Sequence, residues 1–169
     1  NSNDHIIDLL EHKTDVAIRF GELNDSSLHA RLLCKSRLYI VASPEYLAKN
    51  GYPKTAQDIL NHLQIGFSKV SHLNTWPIRV NGEQLSVHPK IKASNGETVR
   101  QLALDGLGIT CLSAFLVHRD LQQNRLIALL EDQIELHEQS IHAVYYQQEH
   151  LPKRVRLFID FLAQKLSKF

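Results

Sequence analysis

The alternation of strand and helix signals along the chain is the feature that most constrains its fold. Short β-compatible apolar runs, such as residues 15–20, are followed by segments that carry helix starts and stops. This order is typical of α/β proteins with mostly parallel strands. The 169 residues suffice for one domain, or for two small lobes that share one continuous path. We therefore predict an α/β fold.

Apolar and β-branched runs bounded by turn residues predict the strands. Lys35 and Ser36 interrupt one such run, so two strands with a kink between them are expected there. Asn81 and Gly82 tolerate positive φ, and the runs on either side therefore predict a β-hairpin with a primed turn. The predicted strands cover residues 15–20, 28–33, 37–42, 63–67, 76–80, the run from Leu85, and residues 108–112, 126–130 and 140–146.

Capping residues predict where the helices begin. Ser43, Pro44 and Glu45 combine a capping hydroxyl, a proline at the first helical position and an acid in the first turn. The clearest helix opens at residues 94–97, and Gly106 supplies its left-handed end. Other helices are predicted at residues 6–10 behind Asn3 or Asp4, at 56–61 behind Thr55, at 114–120 behind Ser113, and from Pro152 onward with an apolar stripe of Val155, Phe158, Ile159, Leu162 and Leu166.

Composition and charge exclude several classes of partner. Hydrophobic residues make up 43% of the chain and charged ones 22%, and no run approaches the roughly 18 apolar residues of a membrane span, so no membrane partner is expected. The net charge is only +1, and the lysines and arginines are scattered along the chain, whereas a DNA-reading module concentrates positive charge on one face. Cys34 and Cys111 follow no disulfide pattern, which fits a reducing, cytoplasmic compartment.

Patterns that carry catalysis or metal binding are not found. The ten histidines are spread singly, and none pairs with another at metal-ligand spacing on a predicted helix beside an acid. There is no Gly-x-Ser-x-Gly turn, and the segment from Gly106 to Gly108 is too short for a dinucleotide fingerprint. We therefore predict no enzyme activity, no metal and no cofactor.

Several segments, taken in order, resemble the effector-binding domain of LysR-type transcriptional regulators. No segment is specific alone, but the ordered set spans nearly the whole chain. The segments that carry the resemblance are residues 15–21 (DVAIRFG), 25–32 (DSSLHARL), 41–48 (VASPEYLA), 51–53 (GYP), 58–62 (DILNH), Trp76, residues 103–109 (ALDGLGI), 123–126 (QNRL) and 151–161 (LPKRVRLFIDF).

The resemblance implies a two-lobed α/β fold like that of type 2 periplasmic binding proteins, with an effector held in the cleft. The first lobe would comprise residues 1–33 plus 140–169, and the second residues 34–139. The first strand and helix of the first lobe are expected to be missing, so the fold is predicted to be truncated there. The DNA-binding winged helix-turn-helix is expected to be absent from the chain, and the full protein to form a homodimer or tetramer.

Candidate effector-binding residues lie at the predicted strand ends and helix starts. They are Arg19, Phe20, Gly21, Phe67, Asn95, Gly96, Glu97, Ser113 and Tyr145. Free N–H groups at residues 95–97 would attract an anion, and Arg19 could hold a carboxylate bidentately. Purely structural roles stay open for each: helix capping at residues 95–97 and at Ser113, core packing for Phe20 and Phe67, and an ion pair for Arg19. For Tyr145, too, both a contact with the effector and a purely structural role stay open.

The resemblance implies a cytoplasmic, non-enzymatic sensor that controls transcription through the oligomer and binds a small molecule, for which an anion is one candidate. Two other functions share the expected architecture. A periplasmic-type solute-binding protein would be distinguished by the coding sequence upstream of Asn1. A module that senses nothing and mediates oligomerisation would be favoured if changes at Asn95 and Glu97 left regulation unaffected.

Overall fold

The computed structural model describes residues 15–21, 28–135, 138–146 and 152–166. Short 3₁₀ helices occupy Ala56–Asn61 and Ser71–Asn74. The strands and α-helices are β1 (Ala17–Phe20), β2 (Leu28–Ala42), α1 (Pro44–Asn50), β3 (Ile65–Phe67), β4 (Thr75–Val80), β5 (Glu83–Ser86), β6 (Ile91–Ala93), α2 (Gly96–Leu104), β7 (Thr110–Ser113), α3 (Ala114–Gln122), β8 (Ile127–Leu129), β9 (Glu138–Tyr146) and α4 (Lys153–Leu166).

The described residues form two compact units. The larger unit contains residues 38–135, and the smaller unit contains residues 15–21, 28–37, 138–146 and 152–166. β2 contributes residues to both units, since its first ten residues belong to the smaller one and its last five to the larger one. The mixture of helices and strands confirms the predicted α/β class.

The sheet of the larger unit is buried on both faces. Ile40 and Val41 are neighbours on β2, and each is fully buried. Consecutive side chains of a strand point to opposite faces, so apolar groups must cover both sides. β2 pairs antiparallel with β7 through Leu38–Val41 and with β8 through Ile40–Ala42.

The two faces carry separate apolar clusters. The first includes Ile40 and Ala42 of β2 together with residues of α1, the first 3₁₀ helix and the β4–β5 hairpin, among them Trp76 and Ile78, which are each 1% exposed. The second includes Val41 of β2 with residues of β3, β6, α2 and α3. Two layers of cover on one sheet are the arrangement expected for an α/β domain.

The β4–β5 hairpin confirms the primed turn that was predicted at Asn81 and Gly82. β4 and β5 pair antiparallel, and Asn81 and Gly82 between them have φ values of 54° and 88°. Positive φ at both central residues is the conformation of a primed turn.

Strand direction departs from the prediction of a mostly parallel sheet. Within the described ranges, β3 and β6 are the strands that pair in parallel, with an isolated parallel bridge between Gln64 and Ile109. The other paired strands run antiparallel. The prediction was wrong because helices do not separate all consecutive strands, and because β2 and β9 pair along most of their length.

In the smaller unit, β9 lies between β1 and β2 and pairs antiparallel with both. β2 is one continuous strand, so the kink predicted at Lys35 and Ser36 was wrong: these residues keep their register with Ser140 and Gln139. The irregularity is a bulge between Leu32 and Cys34. A bulge absorbs one extra residue without ending the strand.

α4 buries a narrower stripe than predicted. Val155 and Ile159 are 5% and 1% exposed, whereas Phe158 is 51% exposed. Val155 and Ile159 are four positions apart and form one row, while Phe158 lies roughly a quarter-turn around the helix from it. The assignment of Phe158 to the buried stripe was therefore wrong. An ion pair between Arg31 and Asp160 joins β2 to α4 on the exposed side.

Helix starts follow the predicted capping residues in most places. Ser43 caps α1 through its side chain, which accepts a hydrogen bond from the Tyr46 N–H, and Thr55 caps the segment Ala56–Asn61. That segment is a 3₁₀ helix. The helix predicted at residues 6–10, with its cap at Asn3 or Asp4, lies outside the described residues. Within the described ranges, no helix combines the length and apolar character needed to span a membrane.

A small polar network joins α1 to the end of the first 3₁₀ helix. The Tyr46 hydroxyl accepts a hydrogen bond from the Leu63 N–H at 3.0 Å and lies 3.2 Å from His62 Nδ1. Burial lowers the pKa of His62 below its ordinary value of 6.5, and the nearby Asp58 carboxylate opposes this in part. Neutral His62 is therefore the form that the fold favours.

We predict that this network makes the stability depend on pH. In the unfolded chain His62 takes up its proton at a higher pH than in the folded chain, so the free energy of unfolding should fall as the pH drops below about 6.5. His62→Gln should remove part of that fall, and His72→Gln, at an exposed position, serves as the control. Urea unfolding between about pH 5 and pH 7.5 measures it. Equal slopes in the unchanged chain and His62→Gln would contradict the prediction.

Candidate functional site

Three strand ends meet at one edge of the larger unit. β3 and β6 run parallel with Phe67 beside Ala93, so both end at the same edge. The parallel bridge from Gln64 to Ile109 aligns the chain that enters β7 with β3, and β7 ends at Ser113. The carboxyl ends of parallel strands are where open α/β sheets hold small ligands.

Phe67 lies at this edge but belongs to the core. It is 8% exposed and is part of the second apolar cluster. Asn74 fixes its backbone, because the side-chain amide of Asn74 accepts from the Phe67 N–H at 2.8 Å and donates to the Phe67 carbonyl at 2.9 Å. Sequence reasoning missed Asn74, since nothing in its local pattern distinguishes it from other loop asparagines.

Ser68 continues from Phe67 and ties the two strand ends together. Its N–H and its hydroxyl both donate to the Ala93 carbonyl, at 2.9 Å and 3.2 Å. Ala93 is the last residue of β6, two positions before Asn95. The start of α2 is thereby held beside the end of β3.

The amino terminus of α2 carries the predicted residues Asn95, Gly96 and Glu97. The Asn95 side chain caps the helix by accepting from the Thr98 N–H at 2.9 Å, and the Asn95 carbonyl accepts from the Val99 N–H at 3.2 Å. Among the described residues, the N–H groups of Gly96 and Glu97 have no acceptor. Two donors at the positive end of a helix therefore point away from the helix body.

A buried carboxylate lies behind this helix start. Asp120 of α3 is fully buried and receives two hydrogen bonds from Arg100 of α2, at 2.5 Å from Nε and 2.8 Å from Nη2. Arg125, in the loop before β8, reaches the same carboxylate at 2.5 Å. Arg100 also donates from Nη1 to Glu97 at 2.7 Å. The hydrogen bond to Asp120, above all, raises the pKa of the Arg100 guanidinium.

Sequence reasoning missed Arg100, Asp120 and Arg125. The only local signal was the spacing of Glu97 and Arg100, three positions apart on a predicted helix. Asp120 lies twenty positions further along, and helix charges at such separations are normally solvated. Its burial follows from how α2 and α3 pack.

Ser113 occupies the capping position of α3 but does not act as predicted. It is 5% exposed and its side chain makes no capping hydrogen bond to α3. The helix instead begins directly at the end of β7 and continues to Gln122, two residues beyond the predicted end.

In the smaller unit, β1 presents Arg19, Phe20 and Gly21 next to the first half of β9. Arg19 is opposite His142 and Phe20 is opposite Ile141. The Gly21 N–H donates to the Ser140 carbonyl at 2.9 Å, and its φ of 86° ends the strand. Since Arg19 and Phe20 are consecutive, their side chains point to opposite faces of the sheet.

Tyr145 lies apart from these three residues. It is four positions beyond Ile141 on β9, which places it about 13 Å along the strand from Phe20. It pairs with His29 of β2, and the two rings stack with centroids 6.1 Å apart. The structure therefore gathers Arg19, Phe20 and Gly21 at one end of the smaller unit and leaves Tyr145 further along β9.

The larger unit also has an open depression of about 500 Å³. None of the effector-binding residues predicted from the sequence lines it. Its lining consists of Ser43, Pro44, Glu45, Arg100, Gln101, Leu104 and Arg125. Within the described ranges, no three His, Cys, Asp or Glu side chains lie close enough to hold a metal ion.

Parallel strand ends that meet beside a helix amino terminus define a class of protein, the ligand-binding α/β domains. The family model for the LysR substrate binding domain matches residues 1–167. The chain belongs to this family, and the resemblance drawn from its ordered segments is confirmed.

Known relatives agree in sequence and in fold. The HTH-type transcriptional regulator CrgA of Neisseria meningitidis serogroup C (strain 8013) is 43% identical over 167 residues, which cover 98% of this chain and 56% of CrgA. The HTH-type transcriptional regulator PtxR of Pseudomonas aeruginosa is 35% identical over 171 residues, which cover 99% of this chain and 54% of PtxR. The chain therefore spans about half the length of the curated relatives it matches.

The solved structure of the CrgA regulatory domain from Neisseria meningitidis superposes with a TM-score of 0.89 at 43% identity. The match covers 96% of this chain and 80% of that one. The two-lobed α/β class is thereby confirmed. These relatives are transcriptional regulators.

We predict that Asp120 is the most costly polar side chain to neutralise at this site. Asp120→Asn leaves two guanidinium groups beside an uncharged buried amide and should lower the free energy of unfolding by about 3 kcal/mol. Glu135→Gln breaks the exposed pair with Arg79 and should cost less than about 1 kcal/mol. Urea unfolding of the two variants at neutral pH gives the comparison. Similar losses for both would contradict it.

Proposed function

We propose that this chain is the effector-sensing part of a DNA-binding transcriptional regulator and that its effector is a small anion. The observation that carries the proposal is the start of α2, where the N–H groups of Gly96 and Glu97 have no acceptor among the described residues. The family supports a ligand in this domain, and the names of the relatives support the regulatory role.

The anion would bind at the edge formed by Phe67, Ser113 and the start of α2. The helix dipole and two free donors favour a carboxylate, a phosphate or a sulfate there. Arg19, Phe20, Gly21 and Tyr145 of the smaller unit stay predictions from the sequence as further contacts. No step of this function needs a nucleophile or a metal.

Binding would act by shifting a population. A ligand that binds one of two conformations better raises the share of that conformation. In a homodimer or tetramer of the longer protein, that shift would change how helix-turn-helix domains outside this chain sit on two DNA half-sites. We also propose residues 1–33 with 140–169 and residues 34–139 as the two lobes, and the cytoplasm as the compartment, because a regulator must reach DNA.

Thermal unfolding tests the sensing role directly. The chain is melted alone and with acetate, benzoate, succinate, inorganic phosphate and sulfate in turn. An anion present at about 100 times its Kd should stabilise the fold by about 2.7 kcal/mol and raise the Tm by about 5 °C or more. Proton NMR of the same mixtures should show the compounds unchanged. If none of the five raises the Tm, the anionic effector is rejected, and conversion of a compound would reject the non-enzymatic role.

A variant that keeps the helix cap of α2 tests whether the anion binds at the start of this helix. Asn95→Asp keeps a good cap but adds a negative charge at the helix start, so the Tm without ligand should change little while the affinity for the anion falls about tenfold or more. Asn61→Asp adds the same charge at an exposed position of the larger unit and should leave the affinity within about twofold. Equal affinities in the two variants would place the anion elsewhere.

A further inference from the structure

The ion pairs at α2 hold the side-chain carboxylate of Glu97 away from the backbone N–H groups of Gly96 and Glu97. Glu97 is the second residue of the helix, and its carboxylate accepts from Arg100 Nη1 at 2.7 Å, one turn further along. Arg100 is itself fixed by its two hydrogen bonds to the fully buried Asp120. The carboxylate of Glu97 is thus held on the side of the helix by a guanidinium that has little freedom to move.

Without that hold, Glu97 would compete for the start of the helix. A carboxylate in the first turn is attracted by the helix dipole and by N–H groups that lack acceptors. The Glu97 side chain is 66% exposed, so little packing opposes its movement. The groups it would approach, the N–H groups of Gly96 and Glu97, are those proposed above to receive an external anion.

We propose that Arg100, anchored on Asp120, keeps the start of α2 open to an anion by holding the Glu97 carboxylate away from it. Arg100 is a positioning residue in this role and does not bind the ligand itself. Its Nε and Nη2 are used by Asp120 and its Nη1 by Glu97, and its side chain is only 15% exposed. Glu97 becomes a tethered competitor of the ligand, which reverses the contact expected of it from the sequence.

This inference rests on the proposed anion site, and the two lead to different results for Glu97. If Glu97 contacted the ligand, Glu97→Gln would weaken binding. If Glu97 is a tethered competitor, the same change should strengthen binding, because the neutral amide is attracted less to the helix start. Arg100→Gln should weaken binding, and adding Glu97→Gln to it should restore binding.

Sulfate is a suitable probe because it is a small anion of fixed charge. The amide shifts of Gly96 and Glu97 are followed by NMR in the full 169-residue chain as sulfate is added. Arg100→Gln should raise the Kd about fivefold, and the double variant Arg100→Gln with Glu97→Gln should return it to the original value or below. Arg79→Gln, which removes the ion pair between Arg79 and Glu135 in the same unit, serves as the control and should leave the Kd unchanged.

A second readout needs no ligand. In the sulfate-free chain, Arg100→Gln should move the amide shifts of Gly96 and Glu97, because the freed carboxylate approaches them, and the double variant should move them back. A role of Arg100 in folding alone would not be reversed by changing Glu97. Glu97→Gln alone, at an exposed position, keeps the test usable if Arg100→Gln unfolds.

The outcomes separate the inference from the proposal beneath it. No sulfate response at Gly96 and Glu97 in the unchanged chain would overturn the anion site of the proposed function. A response in the unchanged chain that Arg100→Gln does not weaken would overturn the role of Arg100 alone. Weaker sulfate binding in Glu97→Gln would overturn the competitor role and restore Glu97 as a contact.

Discussion

The burial of both Ile40 and Val41 is the constraint on which the larger unit depends. These neighbours on β2 face opposite sides of the sheet, and each side chain is fully buried. Burying an aliphatic side chain of this size contributes about 1.5–3 kcal/mol, and only if apolar groups cover it. One side therefore requires α1, the first 3₁₀ helix and the hairpin, and the other requires α2 and α3. The start of α2 is positioned because the second cluster must close over Val41.

Apolar packing leaves the relation between α2 and α3 open to small shifts, and Asp120 removes that freedom. A buried carboxylate is tolerated only when it is paired and hydrogen-bonded, so Arg100 and Arg125 must both reach it. Bidentate contact with Arg100 also sets the angle between the groups. These ion pairs fix the position of α2 relative to α3. Because Arg100 also donates to Glu97, they fix the Glu97 carboxylate in the first turn of α2 as well. The polar interior and the candidate site are in this way one structure.

Local chemistry accounts for the parts of the fold that the sequence predicts. The cap at Ser43, the turn at Asn81 and Gly82, and the end of β1 at Gly21 each depend on residues within one turn of each other. Strand direction, the bulge after Leu32 and the exposure of Phe158 depend on partners far away along the chain, and there the predictions failed. The candidate site divides in the same way. Residues 95–97 could be predicted from a helix start, but the joining of Arg100 to Asp120 requires two helices to pack.

The same distinction separates the residues that carry the family likeness from the residues that a ligand would contact. The family likeness is spread over segments from residue 15 to residue 161, and many of their residues serve the core, so the likeness persists as long as the fold does. At the proposed site, ligand choice would depend on a few groups at one edge, and two of them already have partners: Asn95 caps α2, and Glu97 accepts a hydrogen bond from Arg100. In that proposal, selectivity would follow from which N–H donors lack an acceptor and which carboxylates are held away from those donors. A relative could keep every core residue and change its ligand by altering a single charged partner of this network.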